Sequence, residues 1–311
     1  MRYCAQPEKR LEYREVNRAI EAAFREHGEG RVQMPPKVYI TFPKGDFRTM
    51  PAYLPALEIA GVKIVNVHPE NRDHGLPTVM AMTILIDPES GVPRAVLNAT
   101  SLTDMRTGAA GAVAAKYLLP KREVTVGVIG SGRQAEAQVK ALADVRRIIG
   151  IRIWSRDGKN AAAMASRFPD YDAGVAGLER TCDADVVITT TPSRTPLVEN
   201  EWIHEGTHIN AIGADAPGKQ ELDPRILLRA RVFVDDMAQA VHSGEVNVPI
   251  STGLFSPERI AGTLGEVVIG KKRRERPDEV TVFDSTGLAI QDLAIARLAL
   301  EGAEWIDLPF P

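Results

Sequence analysis

Residues 124–135 read Val-Thr-Val-Gly-Val-Ile-Gly-Ser-Gly-Arg-Gln-Ala, and the reading of this stretch decides the fold. Val124, Val126, Val128 and Ile129 form a short apolar run of the kind that a strand buried on both faces needs, and residues 135–145 supply a helix directly after it. Between the two, Gly130 lets the backbone turn sharply, Gly132 keeps side-chain bulk away from a ligand, and Ala135 lets the helix pack closely on the strand. The first-turn N–H groups of such a helix face an anion, so the turn reads as a seat for a dinucleotide pyrophosphate. The alternative is an ordinary strand-to-helix turn without a ligand. The strand before the glycines and the helix after them favour the nucleotide seat.

Outward from this turn, strands and helices alternate. Strand 124–129, helix 134–144, strand 151–154, helix 158–167, strands 185–189 and 207–212, helix 223–229 and strands 231–235 and 280–284 predict an α/β fold with a Rossmann-type, doubly wound parallel sheet. Upstream, a helix over 11–27 precedes strand-like runs at 38–42, 49–53, 60–67, 78–87 and 95–98, a meander of mainly antiparallel pairs. Residues 106–119 are rich in Ala and Gly and predict a helix crossed closely by another element, and residues 287–300 close the chain as a long helix. That last helix is expected to return to the first domain. The expected organisation is therefore a second, α+β domain made of residues 1–112 and 290–311, with the dinucleotide-binding domain inserted at 113–289.

Composition excludes several classes of function. With 311 residues, 44% hydrophobic and 25% charged, the chain has the balance of a globular protein large enough to bury a sizeable core. A formal net charge of −3 supplies no global positive field, so neither nucleic acid nor a membrane surface is an expected partner. The basic run Lys271-Lys272-Arg273-Arg274 reads as a solvated loop. Cys4 and Cys182 and the six histidines show no metal-ligand spacing, so no metal and no disulfide framework is expected. The first ten residues lack the apolar core of a signal peptide and no run approaches the roughly 18 apolar residues of a membrane span, which together with the two cysteines makes the cytoplasm the expected location.

The chemistry-bearing residues fall into two groups. At the end of the second parallel strand an NAD enzyme usually carries an acid for the ribose hydroxyls, about 20 residues beyond the glycines. Here Trp154-Ser155-Arg156-Asp157 stands instead; the neutral Ser155 and the guanidinium of Arg156 lean toward the 2′-phosphate of NADP(H), while Asp157 keeps NAD(H) open. Asp215, in the loop Gly213–Asp223 after strand 207–212, should face the crevice at the carboxyl end of the sheet, whereas Asp223 before Pro224 suits a helix cap. The second group is cationic. Lys63 shares a strand face with Val65 and Val67, where a charge is costly unless paired or used, and desolvation there lowers its pKa toward the range of proton exchange. Lys37, Arg48 and Arg106 add three cations that would hold the carboxylate of a small amino or keto acid.

Taken together, Met-Pro-Pro-Lys (34–37), Val-Lys-Ile-Val-Asn-Val-His-Pro-Glu-Asn (62–71), Leu-Thr-Asp-Met-Arg-Thr-Gly-Ala-Ala (102–110), Gly-Ser-Gly-Arg-Gln-Ala (130–135), Gly-Ala-Asp-Ala-Pro-Gly-Lys-Gln-Glu-Leu (213–222) and Ser-Thr-Gly-Leu-Ala-Ile-Gln-Asp (285–292) resemble the ornithine cyclodeaminase and mu-crystallin family over almost the whole chain. The resemblance implies a homodimer whose meander strands pair across the interface, a first domain that binds substrate and dimerises, and a Rossmann domain carrying NAD(H) or NADP(H). It makes Lys37, Lys63 and Arg106 ligands of the substrate carboxylate, Lys63 also a proton donor and acceptor, and Asp215 the catalytic aspartate. Dinucleotide contacts are implied for Thr78, Arg106, Gly130, Gly132, Arg133, Gln134, Ser155, Arg156, Thr191, Asp215, Lys219 and Ser285.

One departure narrows the activity. Where ornithine cyclodeaminases of the family carry a glutamate for the distal amine, this chain has Arg48 in Gly-Asp-Phe-Arg-Thr-Met-Pro-Ala-Tyr (45–53). An arginine would repel a second ammonium by about 4 kcal/mol at 4 Å for an effective dielectric near 20. The pattern resembles the archaeal-type alanine dehydrogenases of the family, which implies reversible oxidative deamination of L-alanine to pyruvate and ammonia, with Arg48 helping to hold the substrate. Ornithine cyclodeaminase or ketimine reductase activity is the alternative, and a non-catalytic NADPH-binding protein of crystallin type a second one.

Overall fold

The structure, a computed structural model, describes residues 1–309, the side chain of Arg72 excepted. The chain divides into two compact units, one of residues Met1–Arg106 joined by the segment from Leu288 on, the other of Thr107–Gly287. Among the described residues, no helix is long and apolar enough to cross a membrane.

The first unit is built on a seven-stranded sheet in the order Ile306–Asp307, Arg2–Cys4, Pro93–Asn98, Val79–Ile86, Ile59–Val67, Gly45–Leu54, Val38–Phe42. Its last five strands are the meander, each antiparallel to the next, while Arg2–Cys4 joins Pro93–Asn98 in parallel. Period two decides which side chains enter the core: Arg48, Met50, Ala52 and Leu54 on one strand and Ile59, Gly61, Lys63 and Val65 on the next are buried, and the residues between them are not fully so. The buried face is covered by the helix Ala289–Ala299, and the helix Tyr13–Gly28 packs on that helix. Val16, Ile20, Ala23 and Phe24 form the buried stripe of the first, and the second is buried nearly all round, so its lack of a polar face reflects its central place. It comes close enough at Gly61 that a methyl group there would lie 3.2 Å from Leu293 Cδ2.

The second unit holds an eight-stranded sheet, parallel throughout, in the order Ile260–Thr263, Arg231–Val234, Thr281–Asp284, His208–Ala211, Val186–Thr189, Glu123–Ile129, Arg147–Trp154, Ala173–Val175. The chain starts at Glu123–Ile129, runs outward to Ala173–Val175, then returns to the other side of its first strand and runs outward to Ile260–Thr263, after which Thr281–Asp284 comes back between His208–Ala211 and Arg231–Val234. Val186 and Ile188 pack into one apolar layer with Val124, Val126, Val128 and Ala135, whereas Val187 packs into another with Ile209, Val232 and Val282. Two layers on two faces are the doubly wound arrangement, and they explain why these strands read as continuous apolar runs. Reversal of strand order between Glu123–Ile129 and Val186–Thr189 opens a crevice at their carboxyl ends.

The glycines of the Ala-rich helix Thr100–Leu118 sit where it is crossed: a methyl at Gly108 would overlap the Ala137 carbonyl and one at Gly111 the Gln138 side chain, both on the helix Arg133–Val145. His208 locks the sheet from inside. Its Nδ1 lies 2.8 Å from Thr281 Oγ1 and its Nε2 3.1 Å from Asn210 Oδ1, and Asn210 donates to the Gly111 carbonyl at 3.2 Å. Burial pushes the His208 pKa down to about 3, so the ring is neutral.

Several boundaries differ from the sequence expectation. The strand expected at 49–53 begins at Gly45, because Pro43 and Lys44 form a tight hairpin turn that pairs Gly45 with Phe42. The helix expected from 106 begins at Thr100, whose N–H is accepted by the Asn98 side chain; its polar first turn hides the start from hydrophobic periodicity. The basic run at 271–274 is not simply a solvated loop. Arg274 donates to the carbonyls of Leu118, Arg276 and Pro277 and, by a very short bond, to that of Glu279, which ties the run to the core.

Candidate active site

In the second unit the glycine turn has the geometry its sequence requires. Gly130 has φ 121°, a conformation that a side chain would strain, and a methyl there would also strike Thr190 Oγ1 at the start of the neighbouring loop. Gly132 precedes the helix Arg133–Val145 without a side-chain cap, the form of helix start that suits an anion. Ser131 Oγ donates to Ser155 Oγ at 2.9 Å, which couples the turn to the end of the next strand. Beside Ser155, Arg156 is exposed, and Asp157 caps the helix Gly158–Ala165 by accepting from the Lys159 N–H at 2.9 Å. Ser285, just past the strand Thr281–Asp284, is buried with its Oγ unpartnered among the described residues. An uncapped helix start and an orphaned buried hydroxyl at the carboxyl edge of the sheet fit a ligand that carries phosphates and hydroxyls.

The loops at this edge are held by carboxylates that sequence reasoning did not single out. Glu221 accepts from the N–H groups of Thr191 at 2.6 Å and Gly213 at 2.9 Å. Glu245 accepts from Glu221 and Leu222 N–H at 3.0 and 2.8 Å, Asp284 from Val246 N–H at 3.2 Å, and Asp235 from Thr286 and Gly287 N–H at 2.7 and 2.6 Å. Glu221, Glu245 and Asp235 thus tie down loops that carry Thr191, Asp215, Lys219 and Ser285, and Asp284 ties down the segment at Val246. Burial pushes the Glu221 pKa up to about 7 and that of Asp284 up to about 8, and burial and the Glu221 charge push Glu245 well above the usual carboxylate range. Asp215 is half-buried and accepts from Lys219 Nζ at 2.5 Å, so these two residues form one pair. Asp223 caps the helix Pro224–Arg229, as its place before proline predicts.

In the first unit the cations gather around one acid. Lys63 is 1% exposed and donates to Asp292 Oδ1 at 2.8 Å; Arg106 Nε lies 3.0 Å from the same oxygen, and Arg106 Nη1 donates to Gln291 Oε1 at 2.5 Å. Burial, then the Arg106 charge, pull the Lys63 pKa down from the ordinary lysine value to about 7 against the pull of Asp292, and the half-buried Lys37 adds to the lowering. Across the sheet from Lys63, Thr83 Oγ1 is buried and unpartnered. Arg48 shares this face, since Met50 opposes Lys63 and Arg48 lies two residues away. Arg48 has a partner of its own in Asp46 and its guanidinium carbon lies 5.2 Å from the centre of the Tyr39 ring. Thr78 stands just before the strand Val79–Ile86, where its carbonyl accepts from the His68 N–H at 2.8 Å.

Asp292 is the residue missed at this centre. A signal for it was present: it is the one acid in the apolar helix Ala289–Ala299, as Lys63 is the one charge on an apolar strand face. The carboxylates of the second unit carry no such signal, because their partners are backbone N–H groups, which no sequence pattern reports.

Residues 1–305 match the ornithine cyclodeaminase/mu-crystallin family. An alanine dehydrogenase of Archaeoglobus fulgidus is 51% identical over 292 residues, covering 93% of this chain and 90% of that protein. Among solved structures, an archaeal alanine dehydrogenase dimer with bound NAD matches with a TM-score of 0.95 at 48% identity over 99% of each chain. The Δ1-pyrroline-2-carboxylate reductase of Thermococcus litoralis, solved with NADH and L-proline, matches with a TM-score of 0.93 at 35% identity over 97% of each chain. The glycine turn, the doubly wound sheet and a match over nearly the whole length agree: the chain belongs to the ornithine cyclodeaminase/mu-crystallin family and is one of its oxidoreductases.

Proposed function

We propose that this enzyme carries out the reversible, NAD(P)-dependent oxidative deamination of a small L-amino acid, L-alanine plus water giving pyruvate, ammonium and the reduced dinucleotide. The buried cluster of Lys63, Arg106 and Asp292, with Lys37 acting on Lys63, carries the reading. Its cations outnumber its one carboxylate and suit a small anion, and the near-neutral Lys63 suits proton exchange. The relatedness to alanine dehydrogenases supports the choice of substrate.

In this mechanism Lys37 and Arg106, aided by Arg48, hold the substrate carboxylate. Lys63 takes a proton as water adds at the α-carbon and returns it as ammonia leaves, while Asp215 steadies the ammonium. Gly130, Gly132, Arg133 and Gln134, with Thr78, Arg106, Ser155, Arg156, Thr191, Asp215, Lys219 and Ser285, would hold the dinucleotide, which when bound would supply the acceptor for the α-hydrogen as hydride. Relatives bind NAD or NADH. Arg156, with the neutral Ser155 beside it, supports acceptance of NADP(H) as well.

A second reading, reduction of a cyclic imino acid, is favoured by the Asp46 carboxylate, which offsets the charge of Arg48 and leaves that wall closer to neutral. A plate of L-amino acids with NAD and NADP, and of keto acids plus ammonia or cyclic imino acids with the reduced forms, followed at 340 nm, separates the two. Steady reduction with L-alanine is expected. Turnover of cyclic imino acids alone would move the assignment to the second reading.

The dimer is part of the proposal. Val38–Phe42 is an edge strand exposed at every residue, with Val38 56% and Ile40 48% exposed, and such an apolar edge calls for a covering partner. The archaeal relative is a dimer. Light scattering is expected to give twice the chain mass, and a lysine at Ile40 to lower it.

A further inference from the structure

We infer that Asp292 is the positioning residue of the Lys63 site: through Oδ1 it fixes the direction of the Lys63 amine and sets how readily that amine gives up its proton. The inference rests on Lys63 being the proton-handling group of the reaction proposed above.

Geometry carries the argument. The Lys63 stem rises from the middle of the sheet into a region closed to solvent, and the carboxylate oxygen 2.8 Å away orients its terminal nitrogen. Asp292 is itself held. It stands in the first turn of the helix Ala289–Ala299, where the helix dipole favours an anion, and Arg106 Nε lies against the same oxygen at 3.0 Å. The neighbouring Gln291 Oε1 accepts from both Arg106 Nη1 and the Leu288 N–H, so the start of the helix and the arginine form one frame. Asp292 Oδ2 is buried with no partner among the described residues. An unsatisfied buried oxygen is a cost that packing alone gives no reason to keep, and here it accompanies a carboxylate whose other oxygen faces Lys63 and Arg106.

The charges that face Lys63 come from three elements: Asp292 from its helix, Arg106 from the helix Thr100–Leu118, and Lys37 from the segment before Val38–Phe42. The two cations and burial all disfavour the ammonium form, and Asp292 alone opposes them. Without it every remaining influence acts in one direction, and the amine would stay unprotonated across the working pH range, unable to return a proton to the departing ammonia.

The test is a titration of the whole protein with lysine labelled at ¹³Cε and ¹⁵Nζ, followed by NMR, with the Lys63 signal identified by its loss in Lys63→Arg. In Asp292→Asn the midpoint should fall by about one pH unit or more, a tenfold change in proton affinity, and the acid limb of kcat/KM should move down with it. Should the asparagine variant fail to fold, Asp292→Ser removes the same charge and is read the same way. A midpoint that stays at the wild-type value in the folded variant overturns the inference. The titration needs no substrate, so a protein in which the midpoint moves but L-alanine is not oxidised counts against the proposed function, whereas turnover with an unmoved midpoint counts against Asp292.

Discussion

Arg48 Nε donates to Asp46 Oδ1 at 2.6 Å and Arg48 Nη2 to Asp46 Oδ2 at 3.0 Å, so the arginine on the sheet face that carries Lys63 is clamped by an acid two residues away on its own strand. Two side chains at i and i+2 share a strand face, and the ring of Tyr39, opposite Arg48 on the edge strand, backs the guanidinium. The charge available to a substrate from this arginine is therefore partly offset. Asp46→Asn should release it and lower KM for the amino acid, by roughly two- to fivefold, the scale of one modest charge pair, while Arg48→Ala should raise KM with less effect on kcat. Steady-state kinetics at low and high salt would check this, since screening should shrink the Asp46→Asn effect.

Lys63 sets the second prediction. With its pKa brought to about 7, kcat/KM in the direction of amino-acid oxidation should rise with pH through neutrality as the amine loses its proton. Lys63→Ala should lose about 10²- to 10⁴-fold in kcat while binding the dinucleotide as before, measured by fluorescence titration. Full turnover in that variant would remove Lys63 from the chemistry.

Third, the buried acids should make stability depend on pH. Asp284 has a folded-state pKa raised to about 8, so between about pH 4 and 8 the folded chain holds a proton that the unfolded chain has released. Stability from this group is fully present below pH 4 and is lost as pH rises through 8; Glu221, raised to about 7, acts the same way. His208, lowered to about 3, acts oppositely, because between pH 3 and 6.5 the unfolded chain takes up the extra proton. A difference between wild type and one variant isolates a single group. Asp284→Asn should gain in thermal midpoint relative to wild type on going from pH 5 to pH 8.5, by an amount equivalent to a few kcal/mol.

A pair of glycine variants separates folding from binding. A methyl at Gly127 would overlap the Thr181 carbonyl, which as backbone cannot yield, so Gly127→Ala should cost about 1–3 kcal/mol or more and lower the melting temperature. Gly132 has φ −83° and open space around its missing side chain, so Gly132→Ala should fold normally and lose affinity for the dinucleotide. Calorimetry of both variants with and without NAD reads the contrast.

For the cofactor, Arg156→Ala should weaken NADP(H) binding about tenfold and leave NAD(H) unchanged, since a guanidinium and a phosphate pair by a charge-assisted bond that the ribose hydroxyl does not need. Equal losses for both would make Arg156 a structural residue at the start of the next helix.

Much of this protein follows from its sequence alone. The parallel sheet was legible because strands buried on both faces are mostly apolar along their length, and the glycine turn because backbone geometry at Gly130 is a local property. Lys63 was legible for the same kind of reason, a charge on an alternating apolar face. That burial lowers its pKa was legible too, but the acid that orients it was not. Its partner Asp292 lies 229 residues away in sequence, and the acids that hold the loops of the second unit meet backbone groups brought near only by folding. Periodicity and turn chemistry act between neighbours along the chain and are written in its order. The direction of an amine, the burial of a carboxylate and the balance of charges that sets a pKa arise between residues distant in sequence, and packing alone decides which of them come together.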